Sequence, residues 1–214
     1  RRLEADRGGR LFDRFRNRIM FPIADGAGRP IAFSGRLLTA AVGSTEAKYI
    51  NSPETILYNK SRILYGFEKA KLAIRTSDAV ILVEGQMDLL LAHQAGSTHS
   101  VAASGTALTS KHLALLRRMT SNLLLSFDAD SAGLKASERA IRLALAEGFN
   151  VKVIALHGGK DPAELIAGDP AAFASAVSGA AHVIEFLTEE LLRSSASARE
   201  QAMRVESAIL PLVA

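Results

Sequence analysis

Five acidic residues occupy positions from which their carboxylates could act together. Glu84 directly follows the apolar run Ala79–Val83, and Asp88 stands one helical turn further on. Asp128 and Asp130 follow the run Asn122–Phe127, and Asp161 follows Val151–Leu156 after a short Gly158-Gly159 loop. Like charges a few Å apart raise each other's pKa unless a cation neutralises them. Ligands that are all carboxylate oxygen suit Mg²⁺ or Mn²⁺, and the chemistry expected is metal-assisted phosphoryl or nucleotidyl transfer. A lone acid after a strand more often caps the next helix, and Asp161 before Pro162 fits that role well. Glu84 together with an Asp-x-Asp pair exceeds what one cap requires.

These acids meet only if the elements between them are strands and helices in alternation. Ala79–Val83 is a continuous apolar run, as in a strand buried on both faces. A helix is predicted over 86–95, a strand over 99–103, and an amphipathic helix over 109–119 capped by Thr109 or Ser110. A strand over 122–127, a helix over 132–147 and a strand over 151–156 follow. Asp161-Pro162 then opens another helix. Such alternation implies βαβ units and a parallel sheet flanked by helices, an α/β fold. Its strands end on one edge, where open α/β sheets bind ligands, and acids as much as 77 residues apart converge there. Upstream, strands over 18–24 and 31–35 flank the turn Asp25–Pro30, and a helix covers 66–76. The tail, 180–192 and 198–210, reads as two helices joined at Ser194–Ser197, a hairpin with no obvious partner inside the chain. The domains expected are a basic α+β segment (1–75), a catalytic α/β domain (76–179) and a short helical tail (180–214).

Composition narrows the class. The chain has 214 residues, of which 48% are hydrophobic and 22% charged, which excludes wholesale disorder. No run approaches the ~20 apolar residues of a membrane span, and the charged start Arg1–Asp6 has no signal-peptide core. Cysteine is absent, which removes disulfides and cysteine-ligated zinc or iron–sulfur sites. His93, His112 and His182 lack a partner ligand at i+4, so no zinc is expected in this chain. The net charge of +4 is divided unevenly: residues 1–75 hold 15 Lys+Arg against 7 Asp+Glu, and the remainder hold 11 against 15. A basic first third favours a polyanionic partner. Arg14, Arg16 and Arg18 alternate, which on a strand would line one face with positive charge.

The acidic motifs carry a resemblance. Glu84-Gly85-Gln86-Met87-Asp88 after a strand, with Asp128-Ala129-Asp130-Ser131-Ala132-Gly133 about forty residues later, resembles the TOPRIM domain of primases, topoisomerases and several nucleases. The segments Arg14–Ile23, Phe33–Arg36, Lys48–Thr55 and Asn59–Gly66 resemble the core of bacterial DnaG-type primases, in family order. The resemblance runs from about Leu11 to Leu192 and implies an RNA polymerase that copies single-stranded DNA into short primers. By motif, Glu84 is the acid nearest the chemistry, while Asp128, Asp130 and Asp161 hold two or more Mg²⁺ or Mn²⁺ ions. Asp88 acts behind them or as a further ligand. The family often carries a second acid two positions beyond the one matching Asp161; here that position is Ala163, with Glu164 beside it.

The resemblance also places Arg36, Lys48 and Lys60 toward the nucleic-acid and nucleotide groove. Arg14 and Arg16 join them by charge, and Asn51 serves either a sugar or base edge or a plain turn. The implied partners are single-stranded DNA, ribonucleoside triphosphates and the RNA primer. A replicative helicase is implied through a segment outside this sequence. The implied setting is a monomer in the bacterial cytoplasm at the replication fork, away from membranes. Because the family's cysteine/histidine zinc module and helicase-binding domain are not in the sequence, an incomplete core is expected. Two rival readings are a Mg²⁺-dependent TOPRIM nuclease and a core that binds single-stranded DNA with little activity. A type IA topoisomerase would need a large tyrosine-bearing domain for which 214 residues leave no room.

Overall fold

Alternating side chains on strands joined by a self-bonded turn build the first of two units in this computed structural model. The structure describes residues 3–5, 11–38, 46–126, 131–156, 161–192 and 197–213. The two units are residues 1–59 and 60–214. In the first, β1 (Leu3–Ala5) pairs antiparallel with β2 (Leu11–Asp13). A three-stranded antiparallel sheet follows, with β3 (Arg18–Ala24), β4 (Pro30–Leu37) and β5 (Tyr49–Asn51) in that order. The β3–β4 turn is closed by Asp25, whose carboxylate accepts from the Ala27 and Arg29 N–H groups at 2.9 and 3.0 Å and from the Arg29 guanidinium at 2.8 Å. The bond from the Arg29 side chain does most to hold the Asp25 carboxyl below its ordinary range. Period-two patterning buries Phe21, Ile23 and Ala32 on one face.

The second unit begins with a 3-10 turn at Lys60–Arg62 and then alternates as the sequence predicts. Its elements are α1 (Phe67–Ser77), β6 (Val80–Val83), α2 (Gln86–Gln94), β7 (Ser100–Ala102), α3 (Ser110–Arg117), β8 (Asn122–Leu125), α4 (Ser131–Ala146) and β9 (Asn150–Val153). After these come α5 (Pro162–Gly168), α6 (Pro170–Ser178), β10 (Ala181–His182), α7 (Val183–Leu192) and α8 (Ala198–Val213). The sheet order is β10-β9-β8-β6-β7, parallel throughout except for β10. All four residues of β6 are buried, as its interior place between β8 and β7 demands. Val80, Leu82, Leu123, Leu125 and Val151 form the main core with Ile74 of α1, Leu113 of α3, Ile141 of α4 and Val183 of α7. A second cluster joins Ala92 of α2, Leu165 and Ile166 of α5, and Phe173 of α6.

Two expectations need correction. Ala181-His182 is not the first turn of a helix but an antiparallel edge strand against Lys152 and Val153. The sheet is therefore parallel-dominated rather than wholly parallel. The tail also has a partner: Val183 is fully buried, and Ile184 and Leu187 pack on the main core, so the apolar face of α7 is spent on the sheet.

Gly66 opens α1 at φ 78°, and a Cβ there would run into the buried Leu89 side chain of α2. Gly66→Ala is expected to destabilise the chain by about 1–2 kcal/mol for the left-handed backbone, with the Leu89 clash in addition. A urea midpoint unchanged from wild type would overturn this.

Candidate active site

The carboxyl edge of the parallel sheet brings together three of the five acids that the sequence singles out, Glu84, Asp88 and Asp161, through a chain of backbone contacts. β6 ends at Val83 and Glu84 follows, half-buried; Gly85, in an extended conformation, is the N-cap of α2. Asp88, at the third helical position, returns its Oδ2 to the Gly85 N–H at 3.0 Å. This closes a capping box from the acid side. Its other oxygen, Oδ1, accepts from the Ala163 N–H at 3.2 Å. Ala163 lies in the first turn of α5, whose N-cap is Asp161. There Asp161 Oδ1 accepts from the Glu164 N–H at 2.6 Å, with Pro162 at the first helical position. Glu84, Asp88 and Asp161 thus share one edge, linked through Gly85 and Ala163.

This linkage has no signature in the sequence, because Ala163 contributes only its N–H. Asp88 is 9% exposed. Burial raises its carboxyl pKa and the Asp161 charge adds to that, while the Gly85 and Ala163 N–H groups oppose it. A carboxylate with both oxygens already accepting backbone hydrogen bonds is better suited to fixing α5 than to wrapping a metal.

The donor chemistry of the edge still fits hard divalent ions, since Glu84 and Asp161 offer only carboxylate oxygen. Among the described residues no group of three or more acidic or histidine side chains is close enough to hold a metal. Asp128 and Asp130 lie outside the described residues, as do His157 and Lys160.

The turn after β7 is tied to the same edge. Ser104 N–H donates to the Glu84 carbonyl at 3.0 Å, and Ala103 N–H to the Val83 carbonyl at 3.3 Å. The buried Gln86 side-chain amide donates to Ser104 Oγ. No motif joins Gln86 to a serine 18 residues away, so sequence reasoning missed this pair. The histidines find backbone partners: His93 Nε2 pairs with the Ser100 carbonyl and the buried His112 Nε2 with the Lys60 carbonyl, at 3.0 and 2.8 Å.

In the first unit, the alternating arginines do not line a strand. Residues 14–17 form a bend, with Asn17 at φ 53°, and only Arg18 lies in β3. Arg14 instead donates to the Asn51 carbonyl from Nε and a terminal nitrogen, at 3.3 and 3.0 Å. Arg16 is exposed and lies over the Phe12 ring at 5.5 Å. Arg18 donates to the Gly35 and Ala47 carbonyls at 3.1 and 2.9 Å. Asn51 sits in β5 opposite Ser34 rather than in a turn, and Arg36 faces Tyr49 across the strand pair, its guanidinium 5.8 Å from the ring centre. Paired residues point to the same side, so Arg36 and Asn51 share one face. Lys48 is exposed just before β5. Lys60 belongs to the second unit, half-buried in the 3-10 turn.

Comparison with known proteins agrees with both halves. Residues 2–71 match the family "DNA primase catalytic core, N-terminal domain", and residues 81–166 match the Toprim-like family. A DNA primase of Deinococcus radiodurans is 40% identical over 185 residues, covering 86% of this chain. The chain spans about a third of that relative's length, 32%. Among solved structures, a DNA primase domain from Pseudomonas aeruginosa is 35% identical with a TM-score of 0.83, over 99% of this chain and 67% of that one. A DnaG primase catalytic domain bound to single-stranded DNA is 35% identical with a TM-score of 0.81, over 99% and 68%. With a primase-specific half and a Toprim-like half in sequence order, on a backbone shared nearly end to end with solved primase domains, the chain belongs to the DnaG-type DNA primase catalytic core family.

Proposed function

We propose that this chain carries the primer-synthesising centre of a DNA primase, a template-directed RNA polymerase acting on single-stranded DNA. One observation carries this reading above all. A Toprim-like half alone is compatible with nucleases and topoisomerases, but here it directly follows a primase-specific half in one chain. In the reaction, a ribose 3′-hydroxyl attacks the α-phosphate of an incoming nucleoside triphosphate, and pyrophosphate leaves.

Glu84 and Asp161, with Asp128 and Asp130, would hold Mg²⁺ or Mn²⁺, as Toprim-like domains bind divalent metal in general. Bound ions would supply charge neutralisation at the attacking and leaving oxygens. The chain's own residues do the positioning. Glu84 stands at the end of the interior strand β6, from which its carboxylate would polarise the attacking hydroxyl. Asp88 fixes the α5 end that carries Asp161. In the division proposed, residues 1–75 bind nucleic acid, 76–179 hold the catalytic edge and 180–214 brace it.

Arg36, Lys48, Asn51 and Lys60 would bind template phosphates or the nucleotide, Arg as a fork and Lys as a point charge. Arg16 adds surface charge, while Arg14 acts mainly by holding β5. Lys48→Ala and Lys60→Ala are each expected to weaken single-stranded DNA binding and to lower the log–log salt slope by about 0.7, the value for one phosphate on a single strand. Fluorescence anisotropy across a salt series checks this, and an unchanged slope would leave both as surface lysines.

The deciding experiment is primer synthesis with labelled ATP and GTP, single-stranded DNA and Mg²⁺ or Mn²⁺, with Glu84→Gln as control. Template-dependent RNA that disappears in the control supports the polymerase. Metal-dependent DNA cleavage without triphosphates would move the chain to the nuclease branch. DNA binding with neither product would mean a template-holding core.

A further inference from the structure

The turn after β7 has a construction that stitching alone does not need. Ser104 and Gly105 are consecutive residues in the left-handed region, at φ 56° and 76°. A serine there is uncommon, and two of its bonds tie the turn to the edge: its N–H donates to the Glu84 carbonyl, and its hydroxyl accepts from the buried Gln86 amide. Beyond it, the N–H groups of Gly105, Thr106 and Ala107 and the Thr106 hydroxyl donate to no described residue. Gly105 and Ala107 are exposed and Thr106 half-buried, and the turn lies beside Glu84, to whose carbonyl its first residue bonds.

Successive backbone N–H groups in a left-handed turn make a concavity for anions. The neighbourhood explains why such donors are useful. A lysine placed beside Glu84, Asp88 and Asp161 would pair with an acid, whereas backbone N–H groups carry no net charge and stay available for a phosphate oxygen. We propose that Gly105–Ala107 forms a subsite for the triphosphate of the incoming nucleotide, with Gln86 as the positioning residue that holds the turn through Ser104. The proposal rests on the polymerase reading for its biological ligand, but the subsite itself is a polyphosphate site and can be tested without turnover.

The test is amide NMR of the whole chain titrated with tripolyphosphate, with pyrophosphate and with a thymidine oligonucleotide, each in the presence of Mg²⁺. The expected result is saturable movement of the Gly105, Thr106 and Ala107 amides with tripolyphosphate. Pyrophosphate should move them more weakly and the oligonucleotide should leave them in place. Gln86→Leu should weaken tripolyphosphate binding by roughly two- to tenfold, the effect of losing one neutral hydrogen bond that holds the turn, with the remaining spectrum unchanged. In primer synthesis the same variant should raise the nucleotide KM and largely spare kcat, and Gln86→Asn should restore part of the loss. A merely structural Gln86 would instead lower stability without a KM effect, which overturns the positioning role. Silent amides at Gly105–Ala107, or movement with the oligonucleotide instead, overturn the subsite. Primer synthesis that persists alongside silent amides removes this inference and leaves the polymerase intact; moving amides without any primer synthesis do the reverse.

Discussion

Glu84→Gln is expected to reduce primer synthesis by roughly 10²–10⁴-fold while leaving the chain folded, a loss in the range of removing a positioned acid or base or one preorganised charge contact. The substitution keeps shape and volume and removes only the charge. Glu84 is half-buried at the end of a strand whose four residues are fully buried, so its backbone position is fixed by the sheet rather than by its own side chain. The Ser104 N–H bond goes to the Glu84 carbonyl, which the variant retains. Circular dichroism and the urea midpoint should therefore match wild type. Asp128→Ala and Asp130→Ala are expected to be equally inactive in the same assay. Full activity in Glu84→Gln would remove the carboxylate from the chemistry and return Glu84 to a strand-end residue.

The sheet was legible because burial on both faces leaves a plain mark: Val80–Val83 and Leu123–Leu125 are continuous apolar runs. Caps were legible for the same local reason, and Thr109 and Asp161 accept the backbone N–H bonds their positions suggest. What escaped was long-range or too short to have a period. β10 is two residues, Ala181-His182, with no alternation to read. The Arg14–Arg16–Arg18 alternation suggested a strand, but Asn17 turns the chain at φ 53°, a conformation in which Asn is enriched. Type and spacing singled out Glu84, Asp88 and Asp161, but not the contacts that link them. Ala163 and Ser104 enter through main-chain N–H groups, which any residue but proline supplies.

That geometry gives Asp88 the second large effect. Asp88→Ala is expected to lower primer synthesis by about 10²-fold, because releasing the α5 end misplaces Asp161 on a scale to which catalysis is that sensitive. Stability should fall as well, by about 1–3 kcal/mol, since the Gly85 and Ala163 N–H groups lose their acceptors. Asp88→Asn separates the two effects: it retains one acceptor and removes the charge that burial and Asp161 disfavour. The sign of the pH dependence follows from the raised pKa. The protonated form of Asp88 is favoured by folding, so its contribution is fully present below the ordinary aspartate range and is lost as pH rises through the higher folded value. In metal-free buffer, wild type should therefore lose stability relative to Asp88→Asn as pH rises from below that range toward neutrality. A constant difference across the series would mean that Asp88 is not held against its charge. Activity of Asp88→Ala restored by high Mn²⁺ would make Asp88 a ligand of the ion, whereas activity that stays low at every metal concentration is what a residue fixing α5 requires.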